Sequence, residues 1–216
     1  MKTTLSINSL FIFLALSSVH SRPSRAAAGA ATKEDTQFIE ATCNNKDVVL
    51  PNPSLCVRYL SPFAGAVKRD LAVLARVAID VTHDKTNSVV TYMRKNVSAG
   101  ADVKAEIALK DCWNTYLVSS IGEMENSTNA LKAISAADKA AALGDVQAWM
   151  DAALTDQDMC TAGLEKKVAD MNLKAAVLGQ MALVKQLTGN ALALFHKFSC
   201  SNGGPCNARI NTIIIH

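Results

Sequence analysis

The sequence predicts an all-α protein, in which four long helices pack as an antiparallel bundle behind a short helical hairpin. Three observations predict this fold. No proline lies between Pro62 and Pro205, and proline is the residue that breaks helices most strongly. The same stretch is rich in alanine, which favours helix. Its apolar residues recur at steps of three and four, which is the period of a helix that buries one face.

The first 21 residues have the layout of a secretory signal peptide. Met1 and Lys2 form a basic start, residues 5–16 are mostly apolar, and the small residues of SSVHS follow. Cleavage is expected after Ser21 or farther along the chain, up to residue 30. A membrane anchor is disfavoured because the apolar run is short for a bilayer span. We therefore expect a secreted protein with no membrane segment after the leader is removed.

The sequence predicts a helical hairpin over residues 32–60. Thr32 as N-cap and Asp35 three residues later form a near capping box for a first short helix. The segment NNKDVVLPNP reads as a turn, and Asn52 with Pro53 begins a second short helix. Helices this short are marginal alone in water. We therefore expect the hairpin to lie outside the main core and to depend on a covalent staple.

Four longer helices are predicted behind the hairpin. Ser61 as N-cap and Pro62 at the first position begin the first of them, and a break near Gly100 ends it. The apolar stripe of the second helix drifts around the helix axis, and its second half is polar. The predicted helices cover residues 62–97, 102–134, 137–164 and 172–198, so that a bundle over 62–198 is followed by a tail over 199–216.

Six cysteines follow the leader. An even number of cysteines in a secreted chain predicts disulfides, although fifteen pairings exist on paper. None of the spacings is CxxC, so a zinc ribbon or a thioredoxin-type redox site is disfavoured. A bridge between the first two cysteines would staple the hairpin. The six are Cys43, Cys56, Cys112, Cys160, Cys200 and Cys206.

Two short motifs are candidate N-glycosylation sites. Asn96 begins the sequon NVS, and Asn126 begins the sequon NST. So short a pattern also matches by chance, but the predicted secretion favours the assignment.

The sequence has few marks of an enzyme or of a nucleic-acid-binding protein. No G-x-S-x-G elbow, H-E-x-x-H motif, P-loop or G-x-G-x-x-G motif occurs. The histidines behind the leader, His83, His196 and His216, are scattered. The net charge of +3 is mild, and no basic run is interleaved with aromatic residues. A secreted helical bundle without a reactive constellation is expected to act by presenting a binding surface.

Four segments together resemble one family, the plant invertase and pectin methylesterase inhibitors. FIEATCNNKDVVLPNPSLCVRYLSP is similar to the family's opening, with its pair of cysteines around a short turn. ALKDCWNTYLVSSIGEM and VQAWMDAALTDQDMCTAGL resemble the segments that carry the third and fourth cysteines. LTGNALAL resembles the closing helix. The resemblance covers about residues 33–198, and its strength is the combination of the four segments in order.

The resemblance implies an up-down-up-down four-helix bundle with an N-terminal stapled hairpin, forming an inhibitor domain over 32–198. It also implies the pairing of Cys43 with Cys56 and of Cys112 with Cys160. Such proteins act by forming a complex with an extracellular or vacuolar carbohydrate enzyme, and no cofactor or metal is implied. The tail has no counterpart in the family, so Cys200 and Cys206 form either a local loop or a bridge between chains.

The resemblance favours pectin methylesterase over acid invertase as the target. WMDAALTDQDMC and LTGNALAL are closer to the pectin methylesterase inhibitors, and the Pro-Lys-Phe element of many invertase inhibitors is missing. We expect an inhibitor of the cell wall and apoplast that covers the substrate cleft of its target, through exposed polar positions on the second and third bundle helices. Asn114 stands where the family commonly has an acidic residue, and no acidic residue closely follows Cys160; these departures bear on the target.

Two alternatives remain open at this point. The first is inhibition of acid invertase. The second is a structural helical bundle of the secretory pathway that has no enzyme target. The unusual tail supports the second alternative, since its two cysteines would be able to crosslink chains into a homodimer.

Overall fold

The computed structural model describes residues 30–135 and 137–206. These residues form helices and connecting turns, and no strand occurs among them. The predicted signal peptide 1–21, its cleavage region up to residue 29 and the tail beyond Cys206 lie outside the described residues. The helices are α1 (Lys33–Cys43), α2 (Pro53–Leu60), α3 (Ala64–Val67), α4 (Leu71–Ser98), α5 (Val103–Asp111), α6 (Val118–Ala133), α7 (Lys139–Lys167) and α8 (Met171–Cys200).

The long helices form the predicted four-helix bundle. A π-helical segment, Cys112–Leu117, joins α5 to α6 without a break, so that the two make one long bundle helix. The helix α4 packs against α6 and α8, and α7 packs against the same two helices. Short connections between helices arranged in this way give an up-down-up-down bundle, and the predicted fold class is confirmed. Across 30–135 and 137–206, no helix combines the length and apolar character that a membrane crossing needs.

The predicted caps of the hairpin helices are confirmed. The Thr32 hydroxyl accepts a hydrogen bond from the backbone N–H of Asp35 at 3.2 Å, and the Asp35 carboxylate accepts one from the N–H of Thr32 at 3.1 Å. Asn52 caps α2 by accepting from the N–H of Leu55 at 3.0 Å. Caps of this kind satisfy the N–H groups that the first helical turn leaves without partners.

The predicted start of the first bundle helix at Ser61 is wrong. Residues Ser61–Phe63 form a 3₁₀ turn and α3 follows it, but Lys68 and Arg69 then adopt positive φ angles of 48° and 63°. These left-handed residues end the helical path. The long helix begins afresh after Asp70, whose carboxylate accepts from the N–H groups of Ala72 and Val73.

The π-helical segment explains the drift of the apolar stripe in the second bundle helix. A π turn inserts an extra residue and rotates all later positions around the helix axis. The buried positions at and before the start of the π segment include Leu109 and Trp113. From its end onward the buried positions are Leu117, Ser120 and Met124. The irregular spacing in the sequence therefore records a real local change in the helix.

The expectation that the hairpin lies outside the main core is wrong. Ile39, Val48, Leu50 and Leu60 of the hairpin belong to one buried cluster with residues of α4, α7 and α8. The hairpin closes one end of the bundle and extends its core. Long-range packing, which local helix propensity does not report, therefore supplements the disulfide in holding the hairpin.

Two asparagines fasten the hairpin turn to α8. The buried side chain of Asn190 accepts from the backbone N–H of Asn52 at 3.1 Å and donates to the backbone C=O of Asn52 at 2.7 Å. The side chain of Asn52 donates to Gln186 at 2.7 Å. A Cβ atom on Gly189 would lie 2.7 Å from the Pro51 ring. Glycine at this position therefore lets the turn approach the helix closely.

A polar layer divides the core of the bundle in two. One apolar cluster lies at the hairpin end, and a second lies at the far end around Trp113, Leu164 and Met181. Every bundle helix contributes to the layer between the two clusters. Its members, all at most 1% exposed, are Thr82 and Thr86 of α4, Ser120 of α6, Gln157 of α7 and Thr188 of α8.

Candidate target-binding surface

The second and third bundle helices are joined at three levels. Cys112 and Cys160 form a disulfide with a Cα–Cα distance of 4.6 Å. Near the far end of the bundle, the Lys167 ammonium lies 3.0 Å from the carboxylate of Asp111. Because this pair is exposed, it adds little stability. In the other direction, Gln157 donates to the hydroxyl of Ser120 at 3.0 Å.

Gln157 extends this connection to the fourth helix. Its side-chain oxygen accepts from the Thr188 hydroxyl of α8 at 2.8 Å. The Ser120 hydroxyl donates to a backbone carbonyl of α7 at 3.1 Å. The Thr188 hydroxyl has one proton, which it shares between Gln157 and a backbone carbonyl of its own helix at 3.0 Å. A satisfied buried network of this kind holds its helices in one register. The disulfide and the buried hydrogen-bond network therefore form a rigid support beneath the outer surface of the second and third bundle helices.

The π-helical segment lies on the outer side of this support. Asn114 and Thr115 are exposed, as is Val118 at the start of α6, and Tyr116 is half-buried. The Thr115 hydroxyl donates to the carboxylate of Asp111 at 3.3 Å. π turns inside α-helices are found frequently at functional sites. Asn114, which departs from the family pattern, is thus placed on an exposed surface.

Exposed apolar side chains concentrate on the same two helices. Six large apolar residues are exposed among those described, and four of them lie here: Val103, Ile107 and Val118 on the second helix and Met159 on the third. A single exposed apolar residue needs no explanation. Apolar side chains at the centre of an interface, and methionine in particular, supply contact area on binding. This distribution singles out the second and third helices.

An acidic pair lies at the contact between α6 and α7. Desolvation raises the pKa of Glu123, and the neighbouring carboxylate of Asp156 raises it further, while the Ser119 hydroxyl acts in the opposite direction. One carboxylate oxygen of Glu123 is buried without a hydrogen-bond partner in the described structure. Such a group favours its neutral form. The surface therefore contains a carboxyl group whose charge depends on pH.

The histidines of the described residues do not build a catalytic arrangement with a nucleophile. The two ring nitrogens of His83 lie 3.2 Å from carboxylate oxygens of Asp84 and Glu125. His83 thus links α4 to α6. His196 lies beside Cys200 at the opposite end of the chain, in α8. His216 is outside the described residues.

The other predicted sites lie away from the π-helical segment. Cys43 and Cys56 are bonded within the hairpin with a Cα–Cα distance of 5.7 Å, and Cys200 and Cys206 are bonded with a distance of 4.9 Å. The predicted pairing of the first two cysteines is confirmed, and the last two close a local loop.

The two sequons lie on different bundle helices. Asn126 is exposed on α6, whereas Asn96 is half-buried in the last turn of α4 and donates to the backbone carbonyl of Tyr92 at 2.9 Å. Glycosylation of either residue stays a prediction.

Sequence reasoning did not find the π-helical segment, the exposed apolar residues or the acidic pair. The drift of the apolar stripe was the one signal of the first. The sequence places Val103 and Ile107 in the apolar stripe of the second helix, but the structure exposes them at 71% and 58%, so their expected burial is wrong. The repulsion between Glu123 and Asp156 depends on the packing of two helices, which the sequence does not specify by itself.

Comparison with known proteins identifies the relatives of this chain. The profile of the plant invertase/pectin methylesterase inhibitor family matches residues 37–194. A 21 kDa protein of Daucus carota is 29% identical over 205 residues, covering 93% of this chain and 97% of that protein. Pectinesterase inhibitor 9 of Arabidopsis thaliana is 28% identical over 199 residues, covering 89% and 94% respectively.

A solved structure supports the fold. The crystal structure of mutant form A of a pectin methylesterase inhibitor from Arabidopsis matches with a TM-score of 0.57 and 21% identity, covering 73% of this chain and 94% of that one. At this identity the likeness speaks for the fold alone. The family profile, however, spans nearly the whole hairpin and bundle, and the two curated relatives match almost from end to end. This chain belongs to the plant invertase/pectin methylesterase inhibitor family.

Proposed function

We propose that the protein is a secreted inhibitor that binds pectin methylesterase in the cell wall and covers its substrate cleft. The observation that carries the proposal is the family match over residues 37–194, together with curated relatives named as pectinesterase inhibitors. Membership of this family makes the chain an inhibitor-family protein and not an enzyme. The proposed action needs no cofactor, because inhibition would come from steric exclusion of pectin.

The proposed contact surface is the outer face of the second and third bundle helices. The π-helical segment, Val118 and Met159 would form its centre, because these residues join exposed polar groups to exposed apolar area. An interface of standard size buries about 800 Å² on each partner, which two helices of this length are able to supply. The disulfide between Cys112 and Cys160 would lower the entropic cost of binding by fixing the two helices before contact.

A titration tests the proposal. Purified protein is added to a pectin methylesterase and, separately, to an acid invertase, and the remaining activity of each is measured. We expect a dose-dependent loss of esterase activity that excess pectin relieves, since both compete for the cleft. Loss of invertase activity alone would replace the target and keep the inhibitory function. No effect on several esterases or invertases would favour the alternative of a structural bundle.

A matched pair of substitutions tests the surface. Thr115 lies on the π-helical segment and Thr91 on α4. Both are exposed, and each hydroxyl donates one hydrogen bond within its own helix, to the residue four positions earlier. Thr115→Arg places a long charged side chain at the proposed centre, so we expect the inhibition constant to rise at least about tenfold, equivalent to 1.4 kcal/mol. Thr91→Arg serves as the control. Equal inhibition by the two variants would contradict the assigned surface.

Secretion, glycosylation and oligomeric state are also parts of the proposal. Expression of the full chain in plant cells should release a protein that begins after Ser21 or at a later residue up to 30, which N-terminal sequencing identifies. Digestion with a glycosidase that removes N-glycans reports on Asn126 and Asn96 through the loss of mass. Light scattering of the purified protein separates a monomer from a homodimer.

A further inference from the structure

A cluster of three potential metal ligands lies at the end of α8, far from the proposed target surface along the chain. His196, Cys200 and Cys206 place one ligand atom each within 4.8 Å of one another. His196 and Cys200 are four residues apart in the helix, which puts both side chains on one face. Cys206 returns to the same place through the turn formed by residues 201–205. Neither the family resemblance nor the proposed function uses these residues.

The disulfide in this cluster is the accessible one among the three. Cys43, Cys56, Cys112 and Cys160 are at most 2% exposed. Cys200 is half-buried, and Cys206 is exposed. Thiol–disulfide exchange requires a thiolate to reach a sulfur atom directly. A small thiol is therefore expected to open the Cys200–Cys206 bridge while the other two bridges stay closed in the folded protein.

Contacts other than the disulfide hold the loop in place. The backbone N–H of Gly204 donates to the C=O of Ser199 at 3.0 Å, and the side chain of Asn202 donates to the C=O of Phe198 at 2.8 Å. Lys139 of α7 donates to the side chain of Asn202. Because these bonds do not involve sulfur, opening the bridge should leave Cys206 close to Cys200.

Gly204 shows how closely the loop packs. A Cβ atom at this position would lie 2.2 Å from the Ser199 hydroxyl and 2.8 Å from the side chain of Leu143. Gly203, with a φ of +79°, supplies the left-handed residue that turns the chain back after the helix. A larger residue at Gly204 would therefore displace the loop without removing any ligand.

We propose that reduction of the Cys200–Cys206 bridge turns this cluster into a three-ligand site for a thiophilic divalent ion of the zinc type. The reductant is a low-molecular-weight thiol. Two equivalents of it transfer two electrons, form the disulfide of the reductant and leave Cys200 and Cys206 as thiols. Metal binding then releases one proton from each cysteine. Two thiolates and a neutral imidazole balance the charge of the ion, and a water molecule fills the fourth position.

The geometry favours a tetrahedral site. With bonds of about 2.0–2.1 Å from zinc to nitrogen and about 2.3 Å to sulfur, neighbouring ligand atoms in a tetrahedron lie roughly 3.6–3.8 Å apart. The distance from His196 Nε2 to Cys200 Sγ is already 3.7 Å. The two sulfur atoms must separate, which reduction allows, and Cys206, whose sulfur lies within 4.8 Å of the imidazole, must settle at the same spacing. The sequence argument against a metal considered CxxC spacing, whereas this site uses His-x₃-Cys on a helix and a cysteine that a loop returns.

A titration with Co²⁺, used as the spectroscopic probe, tests the site on the full chain. The protein is treated with the thiol under native conditions, and peptide mapping identifies the bridge that opened. We expect one Co²⁺ per reduced chain with thiolate-to-cobalt charge-transfer absorption, and no such absorption for the oxidised chain. Equal binding by the two forms, or opening of a buried bridge before the exposed one, would overturn the proposal.

Variants separate the ligands from the fold. His196→Ala should weaken Co²⁺ binding at least about tenfold, since the loss even of a residue behind a ligand costs 10–100-fold. His83→Ala, a histidine of α4, is the matched control and should bind as the parent does. Cys206→Ser should halve the charge-transfer intensity, and Gly204→Ala should weaken binding with every ligand present. Helical circular dichroism verifies that each variant is folded. Unchanged binding by folded His196→Ala would refute the site.

Discussion

The attachment of the hairpin to α8 gives a prediction whose magnitude follows from the structure. Asn190 is 3% exposed, and its side chain makes two hydrogen bonds to the backbone of Asn52, at 3.1 and 2.7 Å. Asn190→Ala removes both. Each bond contributes a net stability of about 1 kcal/mol, and a buried group left without a partner costs about 1–3 kcal/mol. We therefore expect the loss of the two bonds and the unpartnered group together to lower the free energy of unfolding by about 3–5 kcal/mol.

A control variant removes the effect of helix propensity. Alanine is a better helix former than asparagine by up to about 0.7 kcal/mol, so the substitution also contributes a small gain. Asn129 is exposed on α6. Asn129→Ala brings the same gain in helix propensity and leaves the contacts of Asn52 intact. The difference between the two variants isolates the attachment of the hairpin.

The assay is urea unfolding monitored by circular dichroism. If the reasoning holds, the midpoint falls for Asn190→Ala while the slope with urea stays the same, because the surface exposed on unfolding is unchanged. Inhibition of the target should persist below the new melting point, since the proposed contact surface lies on other helices. A variant that is as stable as Asn129→Ala would refute the argument that these bonds anchor the hairpin.

Three further predictions concern the staple, the polar layer and the acidic pair. Cys43→Ser with Cys56→Ser should lower the free energy of unfolding by about 3 kcal/mol, the value for a loop of this length, and calorimetry should show a folded protein because the hairpin is part of the core. Gln157→Ala should lower the free energy of unfolding by about 2–4 kcal/mol through lost hydrogen bonds and an unfilled space. Gln157→Leu should lower it by only about 1 kcal/mol, since Ser120 and Thr188 keep their bonds to backbone carbonyls. Similar melting points for the two variants would contradict this reasoning. Burial and Asp156 raise the pKa of Glu123 in the folded protein, so its contribution to stability is fully present below the ordinary pKa of glutamate and is lost as the pH rises through the folded pKa. Glu123→Gln should therefore melt higher than the parent at neutral pH, with a difference that shrinks on acidification, and Glu165→Gln on the exposed side of α7 is the control.

Local patterns were enough to predict the elements of this fold, but not the contacts between them. Thr32 and Asp35 form reciprocal hydrogen bonds to each other's backbone N–H groups, so four consecutive residues are enough to predict this cap. The start of α4 was misread because Phe63 and Val67 continue the apolar period into the core. The break lies at Lys68 and Arg69, whose residue types carry no signal for a left-handed backbone.

The docking of the hairpin lay beyond local reasoning for a different reason. Asn52 and Asn190 are 138 positions apart in the sequence, and no local pattern in either segment predicts that the two residues are in contact. The short hairpin helices predict low stability alone, but the area that they bury against α4 and α8 depends on how the whole chain folds. For the candidate surface, the sequence favoured the second and third helices without separating exposed apolar residues from buried ones. On α5, for example, small alanines such as Ala105 and Ala108 line the buried face, while the larger Ile107 is exposed.

The segment LTGNALAL also changes meaning once its contacts are known. The resemblance used it to favour pectin methylesterase as the target. In the structure Gly189 receives Pro51, and Asn190 binds the backbone of Asn52, so this segment is occupied by the protein's own hairpin. A residue that is buried in an internal contact does not touch the target in the folded inhibitor. The likeness in this segment therefore indicates a shared fold. Under the proposed function, specificity would come from exposed positions such as Asn114, Thr115 and Val118. Because LTGNALAL is buried, the proposed target rests on the family match and the named relatives. Substitution of the buried Asn190 should change the stability of the protein, whereas substitution of the exposed Thr115 should change its affinity for the enzyme.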